Sequence, residues 1–264
     1  MKITFIGAGN MAGSMARGFY KAGVFAAEDI TVTAKTQQTL DKFKVSIPGC
    51  KTTLNNAEAV VGADLIVIGV KPWLIEEVVA GIKDSIDYEH TTAIMSVVAT
   101  WDTPKLAALF QKEGQTTPPL FYVIPNTAID VMSSMTFYVP CAAPQETIQL
   151  VDEMFSKVGG VMQVTDKQMP ACMALASCGI AYAFRYIRAA MEGGVEMGLY
   201  ARDAKYIVSN TVKGAAEMLL QHNSHPEQEI DCVTTPGGLT IKGLNTMEEN
   251  GFTNAVIKGL KAGR

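Results

Sequence analysis

Histidine is scarce in this chain. His90, His222 and His225 are the only three, all in polar, loop-like stretches, and none stands beside an acid at a useful spacing. Oxidation of an alcohol needs a positioned general base, so carbinol chemistry is disfavoured. Cysteine is sparse and unpaired: Cys50, Cys141, Cys172, Cys178 and Cys232 form no C-x-x-C. That excludes a disulfide frame and a zinc knuckle, and the five read as small buried hydrophobes in a reducing compartment. No metal site is expected. Charged residues make up only 18% and the net charge is −4, so no basic stripe exists for a nucleic acid. The longest uncharged run, 168–184, contains Pro170 and falls short of the ~20 residues a spanning helix needs. The first apolar run ends in glycines after six residues, unlike a signal peptide. A cytoplasmic protein with no membrane or nucleic-acid partner is expected. Repeats and low-complexity segments are absent as well.

What is present is enough apolar material, 48% of 264 residues, for one large domain or two ordinary ones with a substantial core. Residues 1–164 alternate strand and helix signals. Strands are predicted at 2–6, 30–33, 64–70, 92–98, 120–124, 135–139 and 160–164. Helical patterns are predicted at 55–61, 73–82, 103–112 and 145–157, and Met11, Met15 and Phe19 share a helix face. The run Leu65-Ile-Val-Ile-Gly-Val70 is continuously apolar, as in a parallel strand buried on both faces. Such alternation implies an α/β, Rossmann-type, doubly wound parallel sheet. The proline-rich stretch 117–144 ends the simple alternation. From 165 to 264 strand signals vanish, and an all-α domain is predicted. The segment 171–200 is apolar almost all round, which a surface helix cannot be. It needs cover beyond its own small domain, so a homodimer, or a higher homo-oligomer built from dimers, is expected.

The strand 2–6 runs into Gly7-Ala8-Gly9-Asn10-Met11-Ala12-Gly13 and then a helix pattern. Gly7 allows the tight turn and Gly9 the close approach of a pyrophosphate. The helix starting near Asn10 offers free N–H groups and its positive end. Ala12 stands where the G-x-G-x-x-G fingerprint has its third glycine. After strand 30–33 come Lys35 and Thr36 with no acid. A cation and a hydroxyl suit a 2′-phosphate, so NADP(H) is preferred with NAD(H) possible; a solvated loop lysine is the plain alternative. Val70, Lys71 and Pro72 follow strand 64–70 and should line the nicotinamide half of the cleft, with Pro72 opening the next helix. Asn126, at another strand end, either bonds the nicotinamide ribose or carboxamide or simply forms a turn. Finally, Thr235, Pro236, Gly237, Gly238 and Leu239 lead into a helical pattern over 239–249. This reads as a charge-neutral nest for a small carboxylate, or as a bare turn.

Taken together the chain resembles pyrroline-5-carboxylate reductase over essentially its full length. The resemblance rests on Gly7 to Ala12, Ala63-Asp64 through Pro72, Pro125-Asn126-Thr127, Gly179, Ala181-Tyr182, and above all Val233 through Leu244, which is similar to V-T-S-P-G-G-T-T-I-x-G-L. It implies NADPH-dependent reduction of a cyclic imino acid, an N-terminal cofactor domain, and a helical dimerisation domain whose helices complete the site. It also implies a cofactor-ribose contact at Asn56, and it assigns Thr240 to the substrate ring nitrogen. The sequence departs from the family at Thr235, at Leu239, at Ser177-Cys178-Gly179-Ile180, at Arg188 and at Ala128.

An iminium ion arrives already protonated, so the shortage of histidine suits it. The nearest rival is a hydroxyacid dehydrogenase of the 6-phosphogluconate type, which would need a helix lysine four residues before an asparagine; Lys205 and Asn210 are five apart. A cofactor-binding module without catalysis is the other alternative.

Overall fold

A computed structural model describes residues 1–263. The chain divides into a compact unit Met1–Ser177 and a second unit starting at Cys178.

The first unit is built on one sheet. Its strands are β1 (Ile3–Ile6), β2 (Ile30–Thr33), β3 (Lys51–Thr53), β4 (Leu65–Ile68), β5 (Ala93–Ser96), β6 (Leu120–Ile124), β7 (Ser134–Cys141) and β8 (Gly159–Gln163). They lie in the order β3-β2-β1-β4-β5-β6-β7-β8. The first six are parallel, with Ile3 opposite both Ile30 and Leu65. β7 runs antiparallel to β6, and β8 runs parallel to β7. The helices are α1 (Asn10–Lys21), α2 (Gln37–Ser46), α3 (Asn56–Ala59), α4 (Ile75–Ile82), α5 (Thr103–Phe110), α6 (Gln145–Ser156) and α7 (Met169–Cys172). Residues alternate across each strand, so the sheet feeds two cores. Phe5, Val32 and Val67 meet Met15, Phe19 and Phe155 on one face. Ile6, Ile66 and Ile68 meet Val79, Leu106 and Phe110 on the other. A sheet covered on both faces accounts for the continuous apolar strands.

The doubly wound parallel sheet read from the alternation is therefore present, and the proline-rich stretch carries the antiparallel turn-back. Two elements were not predicted. β3 is three residues at the sheet edge, none of them buried. α2 buries only Leu40 and Phe43, too thin a stripe to register as periodicity. The sequence boundary at 164/165 coincides with the end of β8. The compact unit continues thirteen residues further, because Val164, Met169 and Ala174 are buried.

A π-helical turn, Met173–Cys178, follows α7. The second unit contains α8 (Gly179–Glu196), α9 (Ala201–His222), α10 (Pro226–Cys232), α11 (Leu239–Glu249) and α12 (Phe252–Ala262). Within it α8 and α9 pack together, and Gly194 meets Ala204 so closely that an added Cβ would come within 3.1 Å of the alanine methyl. Phe184, Tyr206, Leu220 and Ile257 are all at least half exposed. A helical layer with this much outward apolar surface has no core of its own among the described residues.

Met169–Glu196 is long and apolar enough, by length and composition, to cross a membrane, with a mean hydropathy of 1.2. The uncharged run within it stops at Arg185. A helix covered by a partner has the same composition, so the signal is weak.

Candidate functional site

The residues predicted for the cofactor all fall at the C-terminal ends of parallel strands. That edge is where open α/β sheets bind ligands, and order reverses between β1 and β4. β1 ends in Gly7, whose φ of +94° only glycine adopts readily. A Cβ there would also stand 3.0 Å from the Gly69 carbonyl oxygen. Gly9 is the N-cap of α1 and has no side chain to cap it. The N–H groups of Asn10, Met11 and Ala12 are thus left for an external acceptor. The amides of Gly7 and Ala8 are not: Gly7 donates to the Thr33 hydroxyl at 3.0 Å and Ala8 to the Thr33 carbonyl at 2.7 Å. They shape the turn, and the amides beyond Gly9 hold whatever enters it.

Thr33 and Gly69 are two contributors that the sequence did not single out. Thr33 is buried at the end of β2 and ties that strand to the turn. Gly69 supplies the close packing that the fingerprint's third glycine usually gives, because any Cβ on it would collide with the Ala12 methyl. The signal was a lone glycine inside an apolar strand run, which marks close backbone approach.

Lys35 is exposed just beyond β2, and no acid accompanies it. Thr36 is the N-cap of α2, and its hydroxyl accepts from the Thr39 N–H at 3.3 Å. Asn56 is the half-buried first residue of α3; its neighbour Asn55 does the capping, accepting from Ala57 and Glu58. Lys71 is exposed after β4, Val70 is half-buried, and Pro72 opens a 3₁₀ turn, Pro72–Leu74, that leads into α4. Asn126 is 7% exposed. Its carbonyl oxygen accepts from the Ala128 N–H at 3.0 Å, and its amide nitrogen donates to the Ala176 carbonyl at 3.5 Å. The side chain is engaged in building its own turn.

These features fit a dinucleotide: an uncapped helix start and a cradle that a Cβ at Gly7 would fill.

In the second unit, Thr235 to Gly238 form a reverse turn closed by Gly238 N–H donating to the Thr235 carbonyl at 3.0 Å. Pro236 takes the position that wants a fixed negative φ, and Gly237, with φ +70°, the one that wants a positive φ. Gly238 then caps α11 with no side chain, leaving the N–H groups of Leu239, Thr240 and Ile241 for an acceptor. The nest is narrower than the sequence suggested, since the Gly238 amide is used inside the turn. Thr240 and the Leu239 side chain are exposed.

The histidines need correction. His90 pairs with Asp87 at 2.9 Å across one turn, and His222 with Glu229 at 3.2 Å, brought together by the bend between α9 and α10. The first pair is solvent-exposed, the second has its Glu229 half-buried, and His90 precedes β5, at the sheet edge opposite the cofactor loops. Among the described residues no cluster of metal-ligating side chains occurs.

Comparison with known proteins agrees with this geometry. Residues 166–264 match the family described as pyrroline-5-carboxylate reductase dimerisation, and residues 2–100 match that described as NADP oxidoreductase, coenzyme F420-dependent. Pyrroline-5-carboxylate reductase 2 of Dictyostelium discoideum is 35% identical, covering 98% of this chain and 89% of its own length. The pyrroline-5-carboxylate reductase of Methanosarcina acetivorans is 32% identical over 97% and 94%. The crystal structure of Plasmodium falciparum pyrroline carboxylate reductase with NADP bound superposes with a TM-score of 0.87 at 25% identity, covering 100% of this chain and 95% of that one. Identity at this level along nearly the whole of both chains marks common descent, and the chain belongs to the pyrroline-5-carboxylate reductase family.

Proposed function

We propose that this chain reduces 1-pyrroline-5-carboxylate to L-proline, the closing step of proline synthesis, using NADP(H) in preference to NAD(H). The observation that carries the reading is the Thr235–Gly238 turn feeding an uncapped α11, a charge-neutral amide cluster of the size of one carboxylate. A dinucleotide turn on the first unit accompanies it.

When bound, the reduced nicotinamide supplies the hydride. The chain's own residues supply position. The amides of Asn10, Met11 and Ala12 take the pyrophosphate, and Gly7, Ala8 and Gly9 shape that turn. Lys35 meets the 2′-phosphate, with Thr36 fixing the helix start beside it. Asn56 lies toward the ribose, while Val70, Lys71, Pro72 and Asn126 line the half nearer the ring. The nest formed by Thr235, Pro236, Gly237, Gly238 and Leu239 holds the substrate carboxylate. Thr240 hydrogen-bonds the ring nitrogen and passes it a proton where one is needed. Positioning of this kind is worth roughly 7–11 kcal/mol of barrier. The exposed apolar faces of the helical unit fit a homodimer, built from the domain that begins near residue 165. A cytoplasmic location fits the unpaired cysteines.

An NADPH-consumption assay with 1-pyrroline-5-carboxylate, beside a panel of hydroxy acids with NADP⁺, tests the reading. Turnover confined to the imine is expected. Turnover confined to a hydroxy acid, or NADPH binding with no turnover at all, would refute it.

A further inference from the structure

Between α7 and α8 the chain makes the π-helical turn Met173–Cys178, in which Ser177 is the one hydroxyl among Met, Ala, Leu and Cys. The Ser177 hydroxyl oxygen is closed off from solvent and has no hydrogen-bond partner. Among the described residues it is the one buried side-chain oxygen or nitrogen left in that state. A hydroxyl on a helix commonly returns to the carbonyl four residues back. Thr211 does so to Ile207 at 2.9 Å, and Thr246 to Lys242 at 3.0 Å. A π turn spaces its ladder at five residues rather than four, and Ser177 makes no such bond to Met173. A buried hydroxyl without a partner is costly, and one that persists calls for a reason.

The turn is held from β6, at the sheet edge where ligands bind. The Tyr122 phenol donates to Met173 Sδ at 3.7 Å, at the start of the turn. Asn126, just beyond the end of β6, donates through Nδ2 to the Ala176 carbonyl at 3.5 Å. That carbonyl belongs to the peptide group joining Ala176 to Ser177. The Asn126 amide and the orphaned residue are thus neighbours, both within the first unit. Asn126 is nearly fully buried, and its amide nitrogen carries two hydrogens but makes only this one long bond. A spare N–H donor and a free hydroxyl therefore meet at one peptide group. A carboxylate would ask for donors alone. A primary carboxamide offers one acceptor and one donor, which this pair satisfies.

We propose that Ser177 is a cofactor-binding residue, its hydroxyl and the spare N–H of Asn126 forming a two-point site for the primary carboxamide of the nicotinamide ring. Asn126 donates to the carboxamide oxygen, and Ser177 accepts from the carboxamide NH2. Two such bonds fix the rotation of the ring, so that one face is kept toward the imino acid. This inference rests on the function proposed above, since it needs a nicotinamide dinucleotide in the cleft, and it adds the residue that orients the ring.

Binding alone tests it, by calorimetric titration of the full chain and of Ser177→Ala with two oxidised dinucleotides. One is NADP⁺; the other is its 3-acetylpyridine analogue, in which a methyl group replaces the carboxamide NH2. The parent should bind the analogue about fivefold more weakly than NADP⁺, as loss of one neutral hydrogen bond predicts. Ser177→Ala should weaken NADP⁺ by a similar factor while leaving the analogue within about twofold of its parental affinity. Its Tm should not fall, because the hydroxyl removed is unbonded in the free chain. A parent indifferent to the two ligands would overturn the proposal before any variant is made. So would a Ser177→Ala chain that binds NADP⁺ as the parent does, or one that loses both ligands alike. A parent that binds neither dinucleotide would overturn the functional reading itself, and the parental titrations tell that failure from this one.

Discussion

Gly18 of α1 lies directly against the backbone carbonyl of Ile129, so close that any Cβ on Gly18 would overlap the carbonyl oxygen. The contact locks the cofactor helix onto the 3₁₀ turn Thr127–Val131 that follows Asn126. Arg17 and Lys21, flanking Gly18 on the same helix, both pair with Asp130 of that turn, at 2.9 and 2.6 Å. The second half of α1 and the turn that follows β6 are thereby held together.

Gly18→Ala should therefore destabilise the first unit by about 1–3 kcal/mol, the usual range for overpacking. Because α1 must shift to make room, NADPH affinity should fall as well. Urea unfolding and NADPH titration check both effects. Full stability with full affinity would mean that the two elements do not bear on each other.

The Asp130 carboxyl gives a pH dependence of definite sign. Burial raises it, but hydrogen bonds and charge from Arg17 and Lys21 outweigh burial and hold it below its ordinary 3.8. A depressed carboxyl stabilises the fold above its unfolded value, and that stability drains as pH falls through the lower folded value. The stability difference between the parent and Asp130→Asn should stay flat from neutrality to about pH 5 and shrink below about pH 4. A difference that grows on acidification would contradict the assignment.

Lys35 and Thr36 should separate cleanly. A charged contact to a phosphate is worth roughly 1.5–3 kcal/mol, so Lys35→Ala should lower NADPH affinity about tenfold or more, leaving NADH and Tm nearly unchanged. Thr36 caps α2, so Thr36→Ala should cost about 1 kcal/mol of stability with little change in selectivity. Equal loss for both nucleotides on removing Lys35 would make it a solvated loop lysine.

In the second unit, Thr240→Ala should lower kcat with NADPH affinity intact, and Gly237→Ala should act mainly on KM for the imino acid. Alanine at φ +70° strains the turn by about 1 kcal/mol, and the nest loosens with it. Steady-state kinetics at saturating NADPH separate the two. Unchanged turnover in Thr240→Ala would remove that hydroxyl from the mechanism.

Much of this was legible in the chain, for identifiable reasons. Buried strands such as β4 and β6 advertise themselves as apolar runs, and seven of the eight strands overlap the ranges predicted from the sequence. The nest was legible because Pro236-Gly237 is a local turn signal that needs no tertiary context. What stayed hidden depends on neighbours distant in sequence. The shared amides of Gly7 and Ala8 on Thr33, and the Gly69–Ala12 contact, exist only once β2 and β4 flank β1. β3 is held by pairing with β2 rather than by its own apolar content.

The central claim is that hydride passes from the nucleotide to the C=N carbon of the cyclic imino acid, and isotope transfer tests it most directly. With NADPH carrying deuterium on the transferred position of its nicotinamide ring and 1-pyrroline-5-carboxylate as acceptor, the account predicts proline heavier by one mass unit. The label should sit on the ring carbon next to nitrogen that does not carry the carboxylate, and one NADPH should be consumed per proline formed. Proline without the label, or NADPH consumed without proline appearing, would contradict it.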